Sequence, residues 1–416
     1  MIFFNVYKIL TNLMKPLLAW HLKSRMHKGK EHPNRYIEKM GLPTHIRPEG
    51  DVIWIHAVSV GESISALSIV EKYISQGKNV LVTTSTLTSA NVMEQRLPAG
   101  AIHQFRPIDV EHWVHRFLEY WKPNQVLWME SELWPNILKN LKDRGIKTYL
   151  INARISEKTM ARLKYIPFIA SSVFKCFTAV YAQDEKYVSI IQKITGVRPL
   201  FLGNLKYSAP ILLPSKKLLL ALKDSIGNRP VWVAISTHPE DEVFLTPAIK
   251  TLHKNIPNLL TIIVPRHPER MEKINGAIKF LSYAVRSQRQ NITENTDIYI
   301  ADTIGEISLF LSAVDICFIG GSTDGGYGGH NPLEPANLNC AIVQGMDTNH
   351  FDGICKSLNN ANGQIQVQNY VDLHEAISSL LNDETRRNAL IKGAKKVAQE
   401  NKNIVDSIIQ STDSQV

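Results

Sequence analysis

Cysteine is scarce in this chain of 416 residues: there are four, Cys176, Cys317, Cys340 and Cys355, far apart and without a CxxC pair. That argues against a disulfide scaffold or a cysteine zinc site and fits reduced, partly buried thiols of a cytosolic compartment. Other absences narrow the chemistry further. There is no P-loop signature, no zinc-hydrolase spacing and no GxSxG, which sets aside a P-loop nucleotidase, a zinc hydrolase and an α/β-hydrolase. No block of lysine and arginine interleaved with aromatics occurs in the body of the chain, so nucleic acid ranks low among partners. Low-complexity segments are lacking, as are internal repeats. The start has neither the leading charge nor the small-residue cleavage site of a signal peptide.

What is present is an ordinary globular composition, 44% hydrophobic, in a chain longer than a single core usually supports, so two domains are expected. The formal charge of +9 favours an anionic partner, either an acidic membrane surface or a phosphorylated substrate. The first twenty residues, MIFFNVYKILTNLMKPLLAW, are apolar but interrupted by Lys8, Asn12, Lys15 and Pro16, and Lys23, Arg25, Lys28 and Lys30 follow. Three readings stand: a membrane span held by the positive cluster, a helix lying in the interface beside anionic headgroups, or a core helix of the first domain.

Beyond residue 50 the chain alternates apolar strands with helical stretches, the α/β signature. Strands are expected at 51–59, 79–85, 125–130, 147–153 and 179–183. The pattern restarts with strands at 230–237, 259–266, 297–302, 315–321 and 340–345. Between the two sets lies a stretch with two prolines and no clear periodicity, which places a linker near 207–217. Two doubly wound lobes imply ligand sites outside the carboxyl ends of their strands.

The densest signal is GGSTDGGYGGHNPLEPA at 320–336, a strand end, a loop with six glycines between 320 and 329, and a helix start with Asn331 as N-cap, Pro332 and Glu334. One reading is an anion site that uses loop amides and the helix N-terminus; the other is a loop with a capping box. Glu62, in HAVSVGESISA, is either a helix starter or a carboxylate facing the cleft that takes a proton from an attacking hydroxyl. Glu130 and Glu132 bracket a serine at another strand mouth, and Lys206 in GNLKYS sits at the expected seam. In the second half, Ser236 and Thr237 end a strand with groups that suit a phosphate or an N-cap. Arg266, directly after Pro265, has the fork that holds a phosphate or carboxylate. Gly305 and Glu306 occupy the next loop.

With these pieces in order the chain resembles the bacterial 3-deoxy-D-manno-octulosonic acid (Kdo) transferases of lipopolysaccharide assembly. The matching segments are WIHAVSVGE, MESELWPN, NARIS, GNLKY, STH followed by acids, PRHPER, DTIGE and GGHNPLEPA. The resemblance implies a two-lobed GT-B fold with an N-terminal membrane-anchoring segment. It also implies CMP-Kdo as donor and a lipid A precursor (lipid IVA) as acceptor, with neither metal nor cofactor. Transfer would be inverting, at the cytoplasmic face of the inner membrane among anionic lipids. It divides the chain into an anchor at 1–25, an acceptor-binding domain at 26–208 and a CMP-Kdo-binding domain at 209–416. Glu62 matches the family's general base, and Glu130 and Lys206 match residues that support the transition state. The donor nucleotide maps to Pro265 and Arg266, to Gly305, Glu306 and Ile307, and to Asn331, Pro332, Leu333 and Glu334, with Ser236 and Thr237 beside them. The chain departs from the family pattern at 322–327, which is richer in glycine, and after Gly345, where no motif matches. Rival readings are another GT-B nucleotide-sugar enzyme, such as an epimerase, and a non-catalytic nucleotide-sugar-binding protein. The latter has no use for a carboxylate at position 62.

Overall fold

The computed structural model describes residues 2–130, 132–155, 159, 167–208, 213–268 and 281–414, with the side chains of Lys206, Asn401 and Lys402 left aside. The chain forms two units, Met1–Pro210 with Asn401–Val416, and Ile211–Glu400.

Among the described residues the first unit has seven strands: β1 (Val52–His56), β2 (Asn79–Thr84), β3 (Ala101–Phe105), β4 (Gln125–Met129), β5 (Lys147–Ala153), β6 (Ala179–Ala182) and β7 (Leu200–Phe201). They pair in the order β3-β2-β1-β4-β5-β6-β7, all parallel. Parallel strands buried on both faces read as continuous apolar runs, and VIWIH and QVLWM are buried at every position. Successive side chains serve opposite faces. Val52 and Trp54 join one core with Phe117, Trp121 and Trp128, while Ile53 and Ile55 join the other with Val70, Tyr73 and Tyr149.

The second unit repeats the plan with β8 (Val231–Thr237), β9 (Leu260–Pro265), β10 (Tyr283–Val285), β11 (Ile298–Ile300), β12 (Ile316–Ile319), β13 (Ala341–Gln344) and β14 (Gln364–Gln366). The order is β10-β11-β9-β8-β12-β13-β14, again parallel throughout. In each sheet the first strand is interior, third in the first sheet and fourth in the second, and the chain leaves it in both directions. The strand order therefore reverses between β1 and β4, and between β8 and β12. At such a switch point the loops diverge and leave a crevice at the carboxyl edge.

The ends of the chain differ from the expected division. The helix Ile2–Leu13 is no detached anchor: Phe4 is part of the first unit's core, Lys8 pairs with Glu111 at 2.7 Å, and Asn136 donates to Thr11 Oγ1 at 2.9 Å. Its other side leaves Ile2, Val6, Ile9, Leu10 and Leu13 exposed, as are Leu17 and Trp20 of the next helix, Lys15–His27. Among the described residues no helix is long and apolar enough to cross a membrane. The final helix, Glu384–Asp413, begins in the second unit and ends in the first. Its Ile404, Val405, Ile408 and Ile409 complete the core around Tyr73 and Tyr149.

Candidate active site

At the first switch point, the helix Val60–Ser75 follows β1 with Ser59 as N-cap, and Glu62 stands at its third position. Ser59 Oγ accepts the Glu62 amide at 3.3 Å and donates to Glu62 Oε1 at 2.9 Å, and the Val58 amide donates to Oε2 at 2.9 Å. Glu62 is thus a helix-capping residue by geometry. It is also a buried carboxylate, 8% exposed. Burial raises its pKa, the Val58 amide opposes that shift, and the negative charges of Glu130 and Glu132 add to it. A carboxylate with raised proton affinity at a strand mouth is suited to general-base work.

Across the switch point, Glu130 follows β4 with φ 56°, a left-handed conformation uncommon outside glycine. Glu132 Oε2 accepts from Trp134 Nε1 at 2.7 Å, and its carbonyl accepts from Trp128 Nε1 at 2.6 Å. The Trp134 ring in turn carries the buried Arg106 guanidinium at 4.1 Å. Three carboxylates therefore gather at one switch point, Glu62 on the helix that follows β1 and Glu130 directly after β4.

Lys206 follows β7, the far edge of the same sheet, yet its backbone returns. The short helix Leu205–Ser208 packs against Val60–Ser75, and Leu205 is buried in the core beside it. Asn152 holds it there. This residue sits at an irregularity of β5 with φ 58°, is 2% exposed, and its Oδ1 accepts the Leu205 amide at 3.1 Å. NARIS carried no functional reading in the sequence. An asparagine at a strand end, able to adopt the left-handed conformation, was the available signal.

In the second unit the expected donor residues come from neighbouring strand ends. Ser236, with φ 52°, and Thr237 end β8 where its pairing with β9 slips by one residue, and both are buried. Arg266 is exposed after Pro265, and its amide donates to the Thr237 carbonyl at 3.0 Å. Gly305 and Glu306 follow β11. Glu306 is gripped by Arg286 in a fork, Nε to Oε2 at 2.6 Å and Nη2 to Oε1 at 2.7 Å, with Thr303 also donating to it. The Arg286 hydrogen bonds hold the Glu306 carboxyl below its usual range despite burial. Its side chain is thereby committed, which leaves the backbone of Gly305–Ile307 as the part that can meet a ligand.

Of the two readings open for the glycine loop, the bonds at four of its six glycines weigh against the amide cradle. Gly321 donates to Asp241 Oδ2 at 2.6 Å, Gly328 to Asp347 Oδ2 at 3.0 Å, Gly329 to the Gly321 carbonyl at 2.6 Å, and Gly320 to the Ile235 carbonyl at 2.8 Å. These amides are spent on the protein itself. A Cβ at Gly320 would lie 2.6 Å from the Ser236 carbonyl oxygen, so glycine here serves the close passage of β12's end past β8's. The helix Leu333–Asn337 starts one residue later than expected, with Pro332 and not Asn331 at the N-cap; Asn331 still accepts the Leu333 amide on Oδ1 at 3.0 Å from the position before it. Glu334 is half-buried in that first turn.

Comparison with known proteins identifies the chain. Residues 34–209 match the 3-Deoxy-D-manno-octulosonic-acid transferase (kdotransferase) family. A 3-deoxy-D-manno-octulosonic acid transferase of Rickettsia bellii is 33% identical over 98% of both chains. The chain belongs to the Kdo transferase family. It is accordingly a glycosyltransferase whose family moves Kdo. A probable mitochondrial Kdo transferase of Arabidopsis thaliana is 32% identical over 91% of this chain and 88% of its own. In fold it is similar to a glycosyltransferase from Rickettsia africae, TM-score 0.61 over 88% of this chain and 99% of the other, at 12% identity. A putative UDP-N-acetylglucosamine 2-epimerase from Listeria monocytogenes gives 0.59 over 88% and 96%, also at 12%. At that identity the likeness is one of architecture, the GT-B pair of α/β lobes.

Proposed function

We propose that this Kdo transferase takes Kdo from CMP-Kdo and delivers it, with inversion at the anomeric carbon, to a hydroxyl of a lipid A precursor such as lipid IVA. The observation that carries the reading is Glu62: a buried carboxylate of raised proton affinity, beside Glu130 and Glu132, at the switch point of the first unit. Glu62 takes the proton of the acceptor hydroxyl as its oxygen bonds to the anomeric carbon, and the bond from that carbon to the CMP phosphate breaks on the opposite face. One base and one displacement give inversion. Positive charge that develops at the sugar during bond breaking is met by Glu130, and Lys206 offsets anionic charge of the donor. Arg266, Ser236, Thr237, the backbone of Gly305–Ile307 and the Asn331–Glu334 turn hold the nucleotide. Neither metal nor cofactor enters this scheme.

The same proposal places the enzyme on the cytoplasmic face of the inner membrane. The exposed apolar side of Ile2–Leu13 continues to Leu17 and Trp20, and Lys23, Arg25, Lys28 and Lys30 follow. An apolar face bordered by basic residues suits a helix lying among anionic headgroups. The deciding assay is purified protein with CMP-Kdo and a tetra-acylated lipid A precursor, products read by mass. A precursor that gains one or more Kdo masses supports the acceptor; Kdo transferred only to another sugar acceptor overturns it.

A further inference from the structure

At the switch point of the second unit two imidazoles meet outside the groups already assigned. His238, directly after β8, and His330, at the end of the glycine loop after β12, are joined Nε2 to Nε2 at 3.0 Å, with rings nearly coplanar at 5°. Tyr327 lies flat on His238 at 3.8 Å, and His267 stands edge-on to it. The pair is built in. His238 is 7% exposed and caps the helix Pro239–Asn255, its ring facing the Asp241 amide while Asp241 Oδ2 accepts the His238 amide at 2.9 Å. Asp241 also takes the Gly321 amide and the Thr323 hydroxyl, so one buried carboxylate locks both chain segments that carry the rings. Gly321 has no Cβ, and one would come within 3.0 Å of the His330 ring.

This arrangement sets the protons. The Nε2–Nε2 contact needs a hydrogen on one ring and none on the other; with the Asp241 amide set against the His238 ring in the capping box, the tautomer that serves both contacts carries its proton on His238 Nε2 and donates it to His330. His330 Nε2 is then the acceptor, and the proton of His330 resides on Nδ1, which makes no hydrogen bond among the described residues. The largest charge effects on His330 come from His238, Arg266, His350 and His267, all cations or potential cations, while the carboxylates Asp241 and Glu240 act on His238 beside it. A committed N–H donor at the carboxyl edge of a switch point, in a cationic setting, is a place for an anion.

We infer that His330, oriented by His238, is an anion-binding residue of the donor site, its Nδ1–H donating to an oxygen of the phosphate or carboxylate carried by the sugar nucleotide. The inference rests on the donor reading above for the ligand's identity, but the anion site itself does not. His238 is the positioning residue: it fixes the tautomer that presents the donor. Burial and the surrounding positive charge keep the free His330 imidazole neutral near pH 7, so the site starts as a hydrogen-bond donor and becomes a charged one when an anion arrives.

The experiment measures binding of inorganic phosphate, cytidine, CMP and CMP-Kdo to the full chain and to His330→Phe, which keeps ring volume and removes both nitrogens. A lost charge-assisted hydrogen bond is expected to weaken phosphate and CMP about tenfold and to leave cytidine unchanged. If CMP is unaffected and CMP-Kdo weakens by that factor, the anion is the sugar's carboxylate, which equally supports the site. Unchanged affinity for phosphate, CMP and CMP-Kdo in a variant that still binds cytidine overturns the inference. Should His330→Phe fail to fold, histidine-labelled wild-type protein answers by NMR: phosphate must raise the pKa of His330, and a resonance that ignores phosphate, CMP and CMP-Kdo alike overturns it. Phosphate that binds while CMP and cytidine do not would refute the nucleotide reading and leave the anion site standing.

Discussion

Glu62 caps a helix and, in the proposed mechanism, is also the base. Its oxygens take the Val58 amide and the Ser59 hydroxyl, and the same carboxylate lies buried at the strand mouth. Glu62→Gln keeps an oxygen acceptor and removes the base, so turnover should fall about 10²–10⁴-fold with nucleotide affinity changed by less than about threefold. Steady-state rates and CMP titrations on one preparation check both. The pH dependence has a defined sign. Because burial lifts the folded pKa above the ordinary 4.5, the group's contribution to stability is present below 4.5 and is lost as pH rises through the folded value. At neutral pH the Gln variant, always neutral there, should therefore melt no lower than wild type. The acid limb of the wild-type rate profile should lie above 4.5, since a protonated Glu62 is no base. An acid limb of unchanged position in the variant would remove Glu62 from that role. Gly320→Ala tests packing instead: a methyl 2.6 Å from the Ser236 carbonyl should cost about 1–3 kcal/mol, read as a lower denaturation midpoint.

At the scale of elements, the N-terminal helix is packed into the first unit and also exposes an apolar side, the feature on which the proposed membrane contact rests. Phe4 and Thr11 tie Ile2–Leu13 to the first unit, while Ile9, Leu10 and Leu13 face outward. Removing the helix would confound stability with membrane affinity. Single changes separate them. Phe4→Ala should destabilise by about 3 kcal/mol, as loss of a buried aromatic does, and spare vesicle binding by the folded protein. Leu10→Glu should leave the melting temperature nearly unchanged and weaken flotation with anionic vesicles about tenfold or more, since an apolar insertion is replaced by a charge repelled from the surface. Equal vesicle binding by wild type and Leu10→Glu would rule out this face as the contact.

For the whole molecule, the end of the chain decides whether the first unit is complete. Three tyrosines of that unit hold the last turns of Glu384–Asp413: Tyr149 OH donates to the Thr412 carbonyl at 2.9 Å, Tyr181 shares a hydrogen bond with Ser411 at 2.8 Å, and Tyr73 meets Thr412 and Asp413 at 3.3 Å each. Ile404, Val405, Ile408 and Ile409 fill the core beneath. Truncation after residue 400 should therefore strip a wall from the first unit, with proteolysis concentrated before residue 210 and the second unit spared. Burial of about 1.5–3 kcal/mol for each of four aliphatic side chains exceeds half the stability of a typical domain. Uniform resistance of the truncated chain to protease would contradict this account.

The sequence by itself determined the interior of both sheets, and the local chemistry of the strand ends. All ten expected strands are present, because a central parallel strand must be apolar on both faces and so stands out as a run such as VIWIH or ICFI. The four that escaped notice, β3, β7, β10 and β14, are the outermost strands of the two sheets. They are short or half-exposed, and Leu200–Phe201 is exposed at both positions, so they lack the apolar run that marks the others. The helix start after Asn331 was legible to within a residue, since it is made by neighbours in the chain: Asn331 takes the Leu333 amide, but the N-cap is Pro332. What only the tertiary structure decided are the partners of polar groups distant in sequence. It spent the Gly321 and Gly328 amides on Asp241 and Asp347, locked Glu306 to Arg286, brought Asn152 under Leu205 and joined His238 to His330 across 92 positions. A hydrogen bond forms with whatever the fold places within about 3 Å, and composition and local pattern contain no record of that distance.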